Sequence, residues 1–218
     1  MRKRSRLLPL ALGVLVILSV LVWIQKDWLV AKIYMWTLES QGRVKNLQIE
    51  RVIRALEIEP GQRLADVGAG TGLFSRPLAR AAGQGGVVYA VDINPELLSH
   101  IEETAKREGI KNIHTVLAME DDPQIPQPVD LIFLCDTLHH IDNRAGYMKT
   151  LRRYLRADGR IAIVDFARNS PHIIPSMKYS LTELEDWMEA AGYEPVGRHE
   201  FLDSNFFVVY KCPECPAS

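Results

Sequence analysis

The amino-acid sequence predicts an α/β fold on a mostly parallel sheet, with helices on both faces, and three observations carry that expectation. Short apolar, β-branched runs alternate with helical patterns from about residue 47 onward. One strand-to-helix turn holds three glycines in five positions, Gly68, Gly70 and Gly72. Asp92 closes the next apolar run about 20 residues later, the spacing of a nucleoside site. The 218 residues suit one domain plus a terminal extension. A net charge of −1 leaves no electrostatic footprint for nucleic acid, and there is no repeat or low-complexity segment.

In chain order, a basic segment over residues 1–6 (Arg2-Lys3-Arg4-Ser5-Arg6) precedes Leu7 to Ile24, 18 residues without a charge. That is near the lower limit for crossing a bilayer, roughly 17–25 residues. The run ends in Val20-Leu21-Val22-Trp23-Ile24-Gln25, which offers no small-x-small cleavage site. An uncleaved transmembrane helix over residues 7–25 is therefore expected, with Trp23 and Trp28 suited to the interface. A helix docked on the domain would need a polar face, and none exists. Four basic residues before the span favour a cytoplasmic N-terminus, but Lys26, Lys32, Arg43 and Lys45 beyond it weaken the asymmetry. Residues 26–46 form a connecting amphipathic segment carrying Trp28, Leu29, Ile33, Tyr34, Trp36 and Leu38, broken at Gly42. A helix from Val44 to Leu56 then gathers Leu47, Ile49, Val52, Ile53 and Leu56 on one face.

Leu64, Ala65 and Val67 read as a buried first strand, and Leu73 to Arg80 as a helix start. The glycines between them let the backbone turn tightly and let a ligand lie against bare main chain. The second strand is Gly86 to Asp92, and Asn94-Pro95 supplies an N-cap and a first-turn proline. Asp92 is placed to hydrogen-bond both hydroxyls of a ribose. A dinucleotide fingerprint reads G-x-G-x-x-G and sets a pyrophosphate on the helix N-terminus. This chain reads G-x-G-x-G, and Asp66 would put a negative charge beside the phosphates. A ligand bearing an amino group and a sulfonium, such as S-adenosylmethionine, suits that acid better.

Asn112 to Ala118 is the third strand, and Asp130 to Cys135 a fourth with the continuous apolar run of a central parallel strand. The fourth strand delivers Asp136, Thr137, His139 and His140 to the edge where open α/β sheets bind ligands. His139 and His140 are candidate bases for an acceptor proton, and bracing of the following helix is the other reading of the pair. Adjacent histidines point apart and no third ligand is evident, so no metal is expected. Arg144 to Leu155 reads as a helix stopped by Ala157-Asp158-Gly159, and Arg160 to Phe166 as strand five. Arg168 to Tyr179 is a loop beside the acceptor mouth. Ser180-Leu181-Thr182-Glu183 is a capping box for a helix to Ala191, closed by Gly192. Val196 to Leu202 and Phe206 to Lys211 pair through Asp203-Ser204-Asn205. Residues 212–218 are a tail holding Cys212 and Cys215, too few thiols for a zinc site.

In order, DVGAGTG (66–72), AVDINPEL (90–97), DLIFLCDTLHHI (130–141) and LRADGRIAIVDF (155–166) resemble the motifs of class I S-adenosylmethionine-dependent methyltransferases. The resemblance runs from about Leu47 to Lys211. It implies a Rossmann-like seven-stranded, mostly parallel sheet with an antiparallel terminal strand, a methyltransferase domain over residues 47–211, and S-adenosyl-L-methionine as cofactor. It further implies that Asp66 orients the turn or the cofactor's amino group, and that Gly68, Gly70 and Gly72 make room beside Ala69. Asp92, with Ile93 next to it, would hold the ribose, and main chain near Cys135 and Asp136 the methionine part. Met119 stands where an acid often accepts from adenine, so Glu120 or Asp121 would substitute or Met119 would lie on the ring face. A plain solvated loop is the other reading of those acids. The implied activity is methyl transfer to a small-molecule or lipid-like acceptor near a membrane, with the domain facing the cytosol, where the cofactor is kept. Two alternatives are a cofactor-binding sensor or assembly protein without transfer, and a nicotinamide-dependent oxidoreductase. Asp66 and the terminal hairpin disfavour the second. No motif names the acceptor or the oligomeric state.

Overall fold

The computed structural model describes residues 37–166, 177–213 and 215. The expected membrane span over 7–25, most of the connecting segment and residues 168–176 of the acceptor-side loop lie outside the described residues. Among the described residues no helix is long and apolar enough to cross a membrane. A compact unit begins at Glu39.

The core of that unit is one seven-stranded sheet in the order β3-β2-β1-β4-β5-β7-β6. Its strands are β1 Arg63–Val67, β2 Val87–Asp92, β3 Ile113–Leu117, β4 Val129–Cys135, β5 Leu155–Phe166, β6 Glu194–His199 and β7 Asn205–Lys211. β1 to β5 run parallel, and β7 pairs antiparallel with both β5 and β6. The helices are α1 Gln41–Leu47, α2 Ile49–Ala55, α3 Ser75–Ala82, α4 Pro95–Arg107, α5 Arg144–Leu151 and α6 Leu181–Ala190.

The period of two along each strand sorts the core into two layers. Ala65, Val67, Ile132, Leu134, Ile161 and Ile163 face α5 and α6 through Met148, Leu151, Leu184 and Met188. Leu64, Leu131, Phe133, Ala162 and Val164 face the other way, onto Leu47, Val52 and Leu78 of α1 to α3 and the flanking Leu56 and Phe74. The strand order reverses between β1 and β4, so the loops leaving their C-terminal ends diverge and open a crevice.

Local chemistry sets most boundaries where expected. The Asn94 side chain caps α4 by accepting from Glu96 N at 2.9 Å, with Pro95 in the first turn. Ser180 and Glu183 close a reciprocal capping box on α6, and Gly192 leaves it at φ 77°.

Four boundaries differ. Gly42 does not break the leading helix; it lies inside α1, and the break falls at Gln48, at φ 43°. The reason is tertiary, because the Gln48 side-chain amide donates to Phe201 O at 2.6 Å. The helix expected to reach Leu155 ends at Leu151, passes through a 3₁₀ turn and becomes β5 at Leu155. The expected Ala157-Asp158-Gly159 turn exists as an irregularity inside that strand, where pairing jumps from Val129↔Leu155 to Leu131↔Arg160. β6 begins at Glu194 and stops at His199, and Phe201 and Leu202 pack on the core as loop residues instead. In the C-terminal tail, Cys212 and Cys215 are disulfide-bonded and buried against the α5–α6 side of the core.

Candidate active site

The glycine turn sits at the mouth of the crevice. Gly68 N and Ala69 N donate to Val91 O at 2.8 and 2.9 Å, tying the turn to β2. Gly68, Gly70 and Gly72 all take positive φ, at 75°, 57° and 76°. Gly68 is also sterically required, since a Cβ there would overlap the Thr137 side chain that follows β4. The two loops of the crevice therefore touch through a bare glycine.

Asp66, at the end of β1, is 2% exposed and makes no ion pair among the described residues. Its Oδ2 accepts from Ser75 Oγ at 2.5 Å. Burial, aided by the negative charge of Asp92, pushes its carboxyl up to about 7, against partial relief from the Ser75 hydrogen bonds. Asp92 closes β2 and grips the turn: Oδ2 accepts from Gly70 N at 2.8 Å and Oδ1 from Asn94 N at 2.9 Å. Burial raises Asp92 as well, opposed by those backbone donors. Beside it, Ile93 and Met119 are 61% exposed and Leu117 is 57% exposed. These apolar side chains lie at the ends of β2 and β3, where a flat ring would cover them. Glu120 is exposed just beyond, in the tight turn between Met119 and Asp122.

On the β4 side, Cys135 is buried with a free thiol that burial pushes well up, so it is inert. Asp136 adopts φ 50°, and its side chain is 7% exposed. It accepts from Arg43 Nη2 of α1 at 2.9 Å and from Asn205 Nδ2 of β7 at 2.8 Å. Burial still raises its carboxyl, with Arg43 as the main opposing charge.

His139 and His140 fall in a 3₁₀ turn after β4 and have different surroundings. His139 is buried, and its Nδ1 lies 2.7 Å from Asp165 Oδ1 at the end of β5. A carboxylate only accepts, so Nδ1 carries the hydrogen and Nε2 is left as the acceptor. Asp165 also accepts from His139 N (3.1 Å), Phe166 N (2.8 Å) and Tyr179 Oη (2.9 Å). His140 is exposed, with its ring 4.1 Å from that of His139. Partial desolvation, and then the neighbouring His139 ring, lowers its pKa.

The structure thus brings Asp66, Gly68, Ala69, Gly70, Gly72, Asp92 and Ile93 into one half of the crevice, with Met119 and Glu120 at its outer end. Cys135, Asp136, His139 and His140 line the other half. Sequence reasoning missed Asp165, Arg43, Asn205 and Leu117 as parts of the site. Asp165 had a usable signal, because β5, like β2, is an apolar run carrying an acid at its C-terminal end. Among the described residues no cluster of His, Cys, Asp or Glu could hold a metal ion.

The donor set fits S-adenosylmethionine. A buried carboxylate without a counter-ion suits an ammonium, a second carboxylate suits vicinal hydroxyls, and an exposed apolar shelf suits a purine.

Comparison with known proteins agrees. A family profile described as "Methyltransferase domain" matches residues 65–161. A crystal structure of a SAM-dependent methyltransferase from Aquifex aeolicus superposes with a TM-score of 0.75 and 26% identity, over 82% of this chain and 96% of that one. The demethylmenaquinone methyltransferase of Tropheryma whipplei (strain Twist) is 30% identical over 122 residues, 56% of this chain and 49% of the relative. The ubiquinone/menaquinone biosynthesis C-methyltransferase UbiE of Vibrio vulnificus (strain YJ016) is 29% identical over 111 residues, 50% and 43% of the two chains. The chain therefore spans about half the length of the curated relatives it matches. Domain match, fold and site together support placing it in the class I S-adenosylmethionine-dependent methyltransferase superfamily, with S-adenosyl-L-methionine as its cofactor.

Proposed function

We propose that this protein transfers a methyl group to a small, lipid-soluble acceptor at a membrane surface, and that quinone precursors are the first class to test. The observation that carries the transfer reading is the convergence of Asp66, the glycine turn and Asp92 at the switch point between β1 and β4. The acceptor class is supported by relatives named for demethylmenaquinone and ubiquinone/menaquinone methylation. The membrane setting is supported by the uncharged run from Leu7 to Ile24, read as an anchor, with the domain facing the cytosol.

The cofactor supplies an already activated sulfonium methyl, so the protein's task is alignment of the acceptor atom within about 3–3.5 Å. Asp66 binds the ammonium, Asp92 the ribose hydroxyls, and Ile93, Leu117 and Met119 the face of the adenine. Main chain at Cys135 and Asp136 borders the amino-acid end. His139, oriented by Asp165, takes the proton that the acceptor loses.

The test incubates the full chain with methyl-labelled S-adenosylmethionine and either membrane extract, soluble extract or purified demethylmenaquinone. Labelled product in the membrane fraction is the expected result. No label in any fraction would favour a cofactor-binding protein without transfer, and binding of NADH alone would overturn the cofactor assignment.

A further inference from the structure

Ser75 and Arg76 stand side by side where the glycine turn runs into α3, and they hold the turn in two ways. Ser75 reaches inward to Asp66. Arg76 reaches back along the chain, and its Nη1 donates to Thr71 O at 3.2 Å. Gly72 N, at the other end of the same peptide, donates to Ala69 O at 2.9 Å. The Thr71–Gly72 peptide is therefore fixed at both its carbonyl and its amide. With Gly70 and Gly72 on either side of Thr71, the backbone itself does little to stop that peptide from rotating.

The guanidinium that holds the carbonyl is fully engaged. Its Nη2 donates to Glu39 Oε1 at 3.0 Å, and its Nε lies 3.6 Å from Glu108 Oε1. All three nitrogens thus have separate partners, and the Arg76 side chain is only 14% exposed. Glu108 directly follows α4, where a helix C-terminus disfavours negative charge, and pairing with Arg76 and Arg80 offsets that cost. An acid placed against the local rule points to a constraint other than helix stability. Glu39 is the first residue of the compact unit, so the chain enters the domain at the carboxylate that clamps Arg76. Glu39 and Arg76 are 37 residues apart, and the domain entry and the glycine turn meet on one side chain.

We propose that Arg76 is a positioning residue that holds the glycine turn in its ligand-ready shape, and that Glu39 latches Arg76, so that cofactor affinity depends on how the chain enters the domain. Withdrawal of Glu39 removes one of the three contacts that keep the guanidinium at Thr71 O, and the turn loosens. The affinity part rests on S-adenosylmethionine being the cofactor, whereas the shape of the turn is a property of the ligand-free chain.

The test uses the full chain and two readouts: amide exchange over residues 68–74 without ligand, and S-adenosylhomocysteine affinity by calorimetry. Arg76→Gln is expected to speed that exchange about tenfold and to weaken the ligand about tenfold, the loss of charge-assisted contacts. Glu39→Gln breaks a more exposed pair and should change both readouts about threefold. Adding Glu39→Gln to Arg76→Gln should change neither further, since the latch acts through Arg76. Arg80→Gln is the structural control: it removes the neighbouring cation from Glu108 without touching the turn, and both readouts should stay within about twofold. Unchanged exchange or unchanged affinity in Arg76→Gln or Glu39→Gln, or an equal effect of Arg80→Gln, overturns the proposal. Should Arg76→Gln fail to fold, Glu39→Gln against Arg80→Gln decides by the same criteria. Failure of the parent chain to bind S-adenosylhomocysteine is a different result, which removes the cofactor reading and leaves the exchange measurement to decide the latch.

Discussion

The two halves of the crevice are built on opposite electrostatic plans. In the β1–β2 half, Asp66 is buried with a serine hydroxyl as its side-chain partner, and burial holds its carboxyl near 7. In the β4–β5 half, Asp165 is equally buried but accepts from two backbone amides, an imidazole and a phenol. A carboxylate left without a counter-charge is costly in the free protein and becomes favourable when a cationic ligand arrives. A saturated carboxylate has no such capacity and acts as framework. The first half is thus poised to bind, and the second to hold His139 in one orientation.

That contrast is broken most severely at the framework. Replacing Asp165 with Ala strands several buried donors together, and a loss of about 3–5 kcal/mol in unfolding free energy is expected in a denaturant titration. A change below about 1 kcal/mol would show that the network is not framework. In the binding half, Asp92→Ala should weaken S-adenosylhomocysteine by roughly 10–100-fold, since charge-assisted hydrogen bonds are removed. Unchanged affinity would remove Asp92 from the ribose site. Where the halves meet, Gly68→Ala forces a Cβ into Thr137 at φ 75° and should cost about 1–3 kcal/mol. Adding Thr137→Gly should recover the steric part and leave the backbone strain, whereas no recovery would mean that the two loops are not in contact. Tyr179→Phe deletes one donor to Asp165 and should cost about 1 kcal/mol, with cofactor affinity untouched.

The halves also differ in how far the sequence discloses them. The binding half is local: Gly70 and Asp92 are 22 residues apart and belong to consecutive strand–turn–helix units with recognisable spacing. Its strand, turn and cap chemistry all point one way, and the positions of Asp66, the glycines and Asp92 follow from the pattern. The other half is made by residues that only the folded sheet brings together. Arg43 and Asp136 are 93 residues apart, and Asn205 and Asp136 are 69 apart. Nothing near Arg43 marks it as more than a surface cation, and Asn205 reads as a turn residue. The misread helix break has the same origin, since Gln48 turns left-handed to reach a carbonyl 153 residues away. Capping signals sufficed at Asn94 and Ser180 because both partners lie within one turn of helix.

The claim that Asp66 waits for a cation has a direct consequence for pH. A folded-state carboxyl near 7 against an unfolded value near 3.8 means that the free protein holds a proton which the unfolded chain has released across that window. The Asp66 contribution to stability is therefore present at low pH and lost as pH rises from about 4 to about 7. Binding of the ammonium reverses the preference and expels the proton, so affinity should rise with pH up to about 7 and then level off. The decisive measurement is calorimetric titration of the full chain with S-adenosylhomocysteine at pH 6, in two buffers of different ionisation heat. The expected result is release of about one proton per ligand bound, abolished by Asp66→Asn. Binding with no proton released by the parent chain would contradict the account.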